Sequence, residues 1–411
     1  MHSRRFFLKS SAVAMFGTSA APAWLARALY ADDAPSPRKK VLVAILQRGA
    51  MDGLNVVIPH GEKAYYDLRP SLAIPRPNGT PDAAMDLDGF FGLHPALRPL
   101  KPIYDAGHLA MVHATGSPDP TRSHFEAQDF MESGTPGLKT GDGWLNRALI
   151  AEKAASPLRA VGVGTDLPHA LRGANDAVSI ANLEDFKVRD DRAARALERM
   201  YDDSRDRALN GAGREAFDAI HRVQAVEEEN YVPEGGVKYP KSQLGQSLLQ
   251  TARLIKSGVG LEVAFTDVGG WDHHVNEVGA KPTIGSLASL LSDFGQSLAA
   301  FYNDLGDRMA DVCVVTMSEF GRTARENGSR GTDHGHANVM FAFGGNIRGG
   351  KIYGEWPGLE REQLYEQRDL NLTTDFRAVL GELVVRHLGN RDLSKVFPGF
   401  EPTGFRGLIK A

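Results

Sequence analysis

Short apolar runs rich in β-branched residues recur along the chain and alternate with longer segments of helical periodicity. Near-continuous apolar strands between helices are typical of a mainly parallel sheet that is covered on both faces. We therefore predict an α/β fold with a mainly parallel central sheet and helices on both faces. The predicted strands are Val41–Leu46, Leu109–Ala114, Ala160–Gly164, Leu261–Thr266, Val312–Met317 and Val339–Phe343.

The segments between these runs have the spacing of helices. In Ile284–Leu305 the apolar residues recur every three or four positions, which gives one stripe that faces the sheet. Thr121 to Glu132 is a second predicted helix, and a last one begins at an N-cap, Thr373 or Thr374, and ends near His387. Residues 185–258 are predicted to be a helical excursion that caps the site. Its charged helices are Asp190–Leu209 and Arg214–Glu229.

The N-terminus has the pattern of an export signal. The segment "SRRFFLKS" places Arg4 and Arg5 before a weakly apolar stretch rich in small residues. This pattern predicts a twin-arginine signal over residues 1–31, a polar linker over 32–40 and one domain over 41–411. We therefore expect a periplasmic or secreted protein with the twin-arginine translocase as a partner. No stable membrane span is expected after signal removal, because no later run approaches the ~18 apolar residues that a span needs.

The net charge and the cysteine count limit which partners and which cross-links are expected. The 411 residues carry a formal net charge of −4, so there is no electrostatic case for a nucleic-acid partner. The single cysteine, Cys313, excludes an intrachain disulfide and lies in an apolar run, where we expect a buried small hydrophobe.

Polar side chains follow several predicted strands at the point where each strand ends. In open parallel sheets, ligands bind beyond the carboxyl ends of the strands, so one convergent site is expected there. After the first strand comes Asp52, and after the next ones come "DPTRSHF", "GGWDHHVN" and "SEFGRT". The segment "GTDHGHAN" adds a further group of polar side chains. The residues singled out are Asp52, Thr121, Arg122, Ser123, His124, Asp272, His274, Glu319, Arg322, Asp333, His334 and His336.

Six of these residues are candidate metal ligands. Carboxylates and imidazoles without a thiolate suit Zn²⁺, Mn²⁺ or Fe, and Ca²⁺ is a further candidate. Six ligands exceed the three or four that one catalytic zinc takes, so one or two divalent ions per chain are expected. The alternative is a polar surface loop in which two histidines fall together. The six are Asp52, Asp272, His274, Asp333, His334 and His336.

The segment "DPTRSHF" supplies candidate catalytic groups at a helix N-terminus, where the helix dipole favours an anion. Ser123 or Thr121 is the predicted nucleophile, and Arg122 is predicted to clamp the anion. Either hydroxyl has an equally good explanation as the N-cap of that helix. Glu319 is a further candidate catalytic residue.

Several phrases of the chain resemble those of a known family. They are "GLHPALRPL", "GSPDPTRSHFEAQDFMESGTPG", "GGWDHHVN", "TMSEFGRTARENGSRGTDHGHANVM" and "IYGEWPGL". From Val41 to about Pro398 the sequence resembles the twin-arginine-exported bacterial proteins known as domain of unknown function 1501. That family is remotely similar to the alkaline phosphatase superfamily, which includes the sulfatases and cofactor-independent phosphoglycerate mutases.

The superfamily resemblance implies an alkaline-phosphatase-like fold and a role for each matching position. It implies metal binding by Asp52, by Asp272 with His274, and by Asp333 with His334. It implies a nucleophile at Ser123, with Thr121 close behind. His273 matches less well than His274, because relatives usually carry threonine there.

Two departures from the superfamily pattern change the expectation. The last metal-binding histidine normally lies well downstream, and here only His336 and His387 remain. His336 must therefore substitute, or one metal site is incomplete, while His387 has the position of a helix-end residue. Aligning "PTR" with the sulfatase motif puts Pro118 at the nucleophile position, so a formylglycine sulfatase is not expected.

The expected function is metal-dependent hydrolysis of a phosphate or sulfate ester, with an unknown anionic ester as substrate. The competing hypothesis is an exported binding or assembly protein that retains the fold without turnover. A metal-independent structural subunit is the third hypothesis.

Overall fold

The computed structural model of the chain describes residues 39–150, 156–185, 198–202, 207–228, 231–402 and 404–410. The predicted signal at 1–31 and the linker up to residue 38 lie outside the described residues. Residues 186–197 and 203–206 also lie outside them, so the predicted helix Asp190–Leu209 is largely undescribed.

The elements are numbered in chain order. The strands are β1 (Val41–Gln47), β2 (Val57–Ile58), β3 (Met85–Asp86), β4 (Gly92–Leu93), β5 (Leu109–Gly116), β6 (Ala160–Gly162), β7 (Val178–Ser179), β8 (Val263–Val268), β9 (Val312–Ser318), β10 (Asn338–Phe343), β11 (Lys351–Tyr353) and β12 (Thr374–Asp375). The helices are α1 (Gly53–Val56), α2 (Lys63–Leu68), α3 (Lys101–Asp105), α4 (His124–Ser133), α5 (Trp144–Ala148), α6 (Arg207–Glu228), α7 (Gln243–Ser257), α8 (Ser286–Leu305), α9 (Phe376–Arg386) and α10 (Leu393–Val396).

A nine-stranded sheet forms the centre of the described part of the chain. Its order is β11-β5-β10-β9-β1-β8-β6-β7, and β12 continues the outer edge of β5. Val43 of β1 is central, since it lies between Ala264 of β8 and Val314 of β9 in parallel register. Strand β10 alone among the described strands of this sheet runs antiparallel to its neighbours, β5 and β9. The predicted α/β fold with a mainly parallel sheet is confirmed.

Both faces of the sheet are buried. Alternate residues of β1 enter two different cores, with Val43 and Ile45 in one and Leu42 and Ala44 in the other, as the two-residue period of a strand requires. The stripe of α8 that includes Leu291 covers the first core. Helix α9 covers the second core, and burial of each such side chain contributes about 1.5 to 3 kcal/mol.

The described end of the helical excursion is fixed to α8 through Asp304. The carboxylate accepts hydrogen bonds from the hydroxyls of Tyr231, at 2.5 Å, and Tyr239, at 2.7 Å. The Lys256 ammonium and the Glu234 amide also donate to it, each at 2.9 Å. This side chain has no solvent exposure, so these donors replace its lost hydration.

Most predicted element boundaries agree with the observed ones to within a few residues, and strand β8 begins at Val263, two residues later than predicted. Helix α6 includes most of the helix predicted at Arg214–Glu229, but it begins seven residues earlier, at Arg207, and has no break after Leu209. The predicted N-cap of the last helix, Thr373 or Thr374, is wrong. Asp375 is the N-cap, because its carboxylate accepts the Arg377 amide at 2.9 Å.

Two smaller predictions concern single residues. Cys313 is buried in β9, as its apolar surroundings predicted. His387 ends α9, as predicted, and its Nε2 contacts the Val41 carbonyl oxygen at 2.9 Å.

Within the described residues, none of the helices has the length and apolar character required to cross a membrane.

Candidate metal centre

The polar segments that follow the strands meet at one edge of the sheet. The parallel strands β1, β5, β8 and β9 end there, and the reversed strand β10 begins there. Direct contacts join the segments: the Gly49 amide donates to Glu319 at 2.7 Å, and Arg322 donates to Asp272 at 2.8 Å. The predicted convergence of strand-end residues is therefore present in the structure.

Three imidazoles and one carboxylate converge at this edge. The Nε2 of His274 lies 3.0 Å from Asp272 Oδ1 and 3.0 Å from His334 Nε2. His334 Nε2 lies 3.4 Å from Asp272 Oδ1, and His124 Nε2 lies 3.4 Å from Asp272 Oδ2. The ligand atoms of His124, Asp272 and His334 all lie within 4.8 Å of one another. Tetrahedral ligand atoms around one zinc are about 3.3 Å apart, which is close to the 3.0 to 3.4 Å spacings between Asp272 and each of the three imidazoles.

The second nitrogen of each imidazole is bound by an oxygen atom. His124 Nδ1 lies 2.8 Å from Glu319 Oε1, and His274 Nδ1 lies 2.9 Å from Asp333 Oδ1. His334 Nδ1 lies 2.8 Å from the carbonyl oxygen of Arg122. Carbonyl and ionised carboxylate oxygens only accept hydrogen bonds, so each Nδ1 is the protonated nitrogen. In each neutral ring, Nε2 then carries a lone pair that is directed into the cluster.

Helix α4 and Glu319 hold His124 in place. His124 is the first residue of α4, and Gln128 lies one turn later on the same face. Both side chains donate to Glu319 Oε1 at 2.8 Å, while Glu319 has no solvent exposure. The hydrogen bond to Glu319 raises the pKa of His124, whereas burial lowers the pKa of His334. The Nε2 of His124 is buried and has no hydrogen-bond partner among the described residues.

Arg322 fixes the charge state of Asp272. Its guanidinium has no solvent exposure, and it donates to Asp272 Oδ1 at 2.8 Å and to the Thr332 carbonyl at 2.6 Å. Burial raises the pKa of Asp272, Arg322 lowers it, and the net shift is downward. Asp272 is therefore a carboxylate near neutral pH.

Glycines allow the loops of the centre to pack backbone against backbone. A Cβ atom on Gly331 would lie 2.5 Å from the carbonyl group of His274, and one on Gly335 would lie 2.4 Å from that of Arg322. Neither glycine has a left-handed backbone. The glycines of "GTDHGHAN" thus provide space between segments.

The structure brings together some of the predicted ligands and places the others elsewhere. Asp272, His274 and His334 lie in the cluster, and Asp333 contacts His274 from the outside. Asp52 is buried in an ion pair, with its two oxygens 2.5 and 2.9 Å from the Arg69 guanidinium.

His336 lies apart from the cluster. Its ring stacks on Tyr365 with the centroids 4.3 Å apart, and burial lowers the pKa of His336. His124 takes part instead, although the sequence indicated it only as a polar strand-end residue. The sequence feature that could have identified His124 as a ligand is its position at the start of a predicted helix, beside other polar residues.

The predicted catalytic residues surround His124. Thr121 Oγ1 accepts the Ser123 amide at 3.2 Å and donates to Glu126 at 3.0 Å, so it stabilises the turn that leads into α4. Ser123 is exposed at the N-cap, and its hydroxyl makes no capping hydrogen bond. Glu319 is buried, where it contacts His124 and accepts the Ser318 hydroxyl at 3.2 Å.

Arg122 is held by acidic residues of a late loop. Its Nη2 donates to Glu366 at 2.6 Å and to Asp369 at 2.7 Å. Its Nε is buried and has no hydrogen-bond partner among the described residues. This Nε–H is therefore a buried donor that the described residues leave unsatisfied.

The fold and the site together define an α/β protein with a candidate metal centre at the carboxyl edge of its sheet. The family model described as "Protein of unknown function (DUF1501)" matches residues 108–395. This chain belongs to that family. No curated protein matches its sequence.

The solved structures that are similar to this chain include the following two. A protein in the alkaline phosphatase superfamily from Vibrio parahaemolyticus is 9% identical with a TM-score of 0.34. The match covers 77% of this chain and 63% of that protein, so this chain spans less than two thirds of its length. A sulfatase from Pseudoalteromonas sp. is 11% identical with a TM-score of 0.41, over 91% of this chain and 74% of the sulfatase.

Proposed function

We propose that this protein is an exported metal-dependent hydrolase of phosphate or sulfate esters. One divalent ion is held by the imidazoles of His124, His274 and His334 and by the carboxylate of Asp272. The observation that carries the proposal is the convergence of three Nε2 atoms whose Nδ1 partners fix the protonation of each ring.

A proton alone is a poor occupant of this cluster. Two Nε2 lone pairs at 3.0 Å, those of His274 and His334, repel each other unless a proton or a cation lies between them. A single proton satisfies one such pair, and a second proton would be needed on His124 to pair its buried Nε2 with Asp272 Oδ2, 3.4 Å away. A divalent cation satisfies all three rings and the Asp272 carboxylate together.

The donor set narrows the choice of metal. Three imidazoles and one carboxylate suit Zn²⁺, Mn²⁺ or Fe²⁺, whereas Ca²⁺ prefers a shell of oxygen ligands. We expect one ion per chain, because both oxygens of Asp52 are bound to Arg69 and His336 stacks on Tyr365. When bound, such an ion acts as a Lewis acid on an ester oxygen or activates a water molecule.

Residues of this chain supply the remaining parts of a hydrolytic site. Ser123 is the favoured nucleophile, because its hydroxyl is exposed at the N-terminus of the ten-residue helix α4, next to the ligand His124. Thr121 is less favoured, because its hydroxyl is bound to the Ser123 amide and to Glu126. Arg122 precedes Ser123 in the chain and has a buried Nε–H without a described partner, and we expect this N–H to donate to an anionic oxygen when a substrate is bound.

A second candidate function is metal-dependent binding without turnover. It is favoured by the pairing of the cationic groups around the centre: Arg122 contacts two carboxylates, and Arg322 contacts Asp272 and Thr332. An anionic substrate would have to compete with these partners. A binding or assembly protein in the family would need the metal and the fold but no free anion clamp.

Metal analysis and an ester screen distinguish these functions. The purified protein is stripped with a chelator and titrated with Zn²⁺, Mn²⁺, Fe²⁺ and Ca²⁺ by calorimetry. The loaded protein is then assayed on phosphate monoesters, phosphate diesters and sulfate esters. One bound ion with turnover that chelation abolishes supports the hydrolase, and one bound ion without turnover supports the binding protein. Failure to bind any of the four ions contradicts both.

A further inference from the structure

Exposed apolar side chains stand directly beside two of the metal ligands. Phe125 follows His124 and has 89% of its surface exposed, and Val275 follows His274 and has 59% exposed. Large apolar side chains on a protein surface are informative when they cluster at a site. Here both belong to segments whose neighbouring residues converge on Asp272.

The backbone on each side holds these side chains outward. Successive residues of a helix point about 100° apart, so the attachment of His124 to buried Glu319 directs Phe125 away from the sheet. After Val275, Asn276 has a left-handed backbone with φ of 51°, and its amide donates to the Ser329 carbonyl at 3.0 Å. Both side chains are thus presented to solvent by well-anchored segments.

We propose that the substrate is an ester of a hydrophobic alcohol, whose apolar body lies against Phe125 and Val275 while its anionic group lies at the metal centre. This inference rests on the proposed hydrolase function. Each of these side chains is attached one residue from a proposed metal ligand, so both lie at the rim of the centre. Covering them removes apolar surface from water, and an aromatic ring such as that of Phe125 also favours flat or extended apolar groups.

The test compares two esters of the same acid, one of naphthol and one of methanol. The metal-loaded protein is expected to have the higher kcat/KM for the naphthyl ester. In Phe125→Ala and in Val275→Ala, the naphthyl-to-methyl ratio of kcat/KM should fall by about tenfold or more, the effect of losing a hydrophobic contact in a substrate pocket. Phenylphosphonate and methylphosphonate, titrated by calorimetry, give a binding readout that does not depend on turnover.

Val232→Ala is the matched control. Val232 is also an exposed valine, but it adjoins Tyr231, which binds Asp304 near the far end of α8, away from the carboxyl edge. This variant should keep the wild-type ratio.

The remaining outcomes separate this inference from the function on which it rests. Hydrolysis of both esters with a ratio that neither variant changes overturns the inference and leaves the hydrolase intact. Absence of turnover and of phosphonate binding overturns both. A dimer that Phe125→Ala dissociates in sedimentation, with an unchanged ratio, would show that a second copy covers this surface and would overturn the inference.

Discussion

Glu319 and His124 are joined by a hydrogen bond of 2.8 Å between a fully buried carboxylate and the Nδ1–H of an imidazole at the start of α4. Glu319 does not reach the cluster of Nε2 atoms itself. It fixes which nitrogen of His124 faces that cluster, and Gln128 and the Gly49 amide hold Glu319 in turn. Glu319 is therefore a positioning residue for a metal ligand.

Replacing Glu319 by Gln should lower metal affinity about 10- to 100-fold, because the amide no longer stabilises the His124 N–H as a carboxylate does. Calorimetric titration of the metal-free protein measures the effect. Glu132→Gln is the control: it removes another buried carboxylate, one that pairs with Arg48 rather than with a ligand. Equal affinity in Glu319→Gln and the wild type would exclude the positioning role.

His334→Ala should reduce metal content and any ester hydrolysis together, since it removes one of the converging Nε2 atoms. The metal-free variant should fold like the metal-free wild type, because the cores of the sheet do not include this loop. The thermal stabilisation produced by added metal should shrink. Metal analysis and thermal unfolding provide the measurements.

His336→Ala is the comparison for that variant. His336 stacks on Tyr365 outside the cluster, so its loss should leave metal content unchanged. If His336→Ala loses metal as His334→Ala does, the ligand set proposed above is incorrect.

Ser123→Ala should abolish turnover while metal occupancy stays close to one ion per chain, because a nucleophile need not be a principal ligand. Thr121→Ala is expected instead to retain turnover and to destabilise the protein by about 1 kcal/mol through loss of the hydrogen bonds to Glu126 and the Ser123 amide. The two variants are compared by single-turnover kinetics and metal analysis. Full activity in Ser123→Ala would remove the serine from the mechanism.

Asp304→Asn should destabilise the protein by about 2 kcal/mol near neutral pH, because its buried charge-assisted hydrogen bonds weaken. Burial raises the pKa of Asp304, while the hydrogen bonds from Tyr231, Lys256 and Tyr239 lower it, and the net shift is downward. A lowered folded-state pKa gives stability that is present above the unfolded value of about 3.9 and is lost as pH falls through the folded pKa. The difference between wild type and Asp304→Asn in denaturant unfolding should therefore shrink below about pH 4. A difference that does not change with pH would contradict this assignment.

Export is proposed from the sequence alone. Replacing Arg4 and Arg5 with Lys should leave a precursor in the cytoplasm, because the twin-arginine pathway reads the guanidinium pair and not charge alone. Cell fractionation followed by mass measurement of the N-terminus checks this outcome. Normal amounts of mature protein outside the cytoplasm would contradict the proposed route.

The strands and helices were predictable because burial imposes a pattern on each segment by itself. The apolar run Val41–Leu46 becomes β1, and the three-to-four spacing in Ile284–Leu305 becomes α8. The reversed direction of β10 was not predictable, since an apolar run has no direction. Its direction depends on which neighbours it pairs with across the sheet.

The location of the candidate site was predictable from the sequence, but the complete set of its ligands was not. The strand-end pattern led to Asp272, His274 and His334, which do converge. It did not distinguish His124, whose role depends on Glu319, 195 positions away along the chain.

The ion-pair partner of Asp52 was also not predictable from the sequence. Arg69 lies 17 positions from Asp52 and outside every motif, yet it binds both oxygens of that carboxylate. Pairings of this kind arise from three-dimensional packing, so sequence spacing carries no information about them.

The reversal of β10 has a consequence for how the metal is acquired. Residues 319–337 leave the sheet through β9 and return to it through β10, so the segment that carries His334 is tethered at both ends to central strands. The two anchored ends limit how far His334 can move from the edge of the sheet. The ligand geometry is thus preorganised before any ion arrives, and little ordering entropy opposes metal uptake. A chain with this construction can complete its fold first and load its ion afterwards by small side-chain rotations.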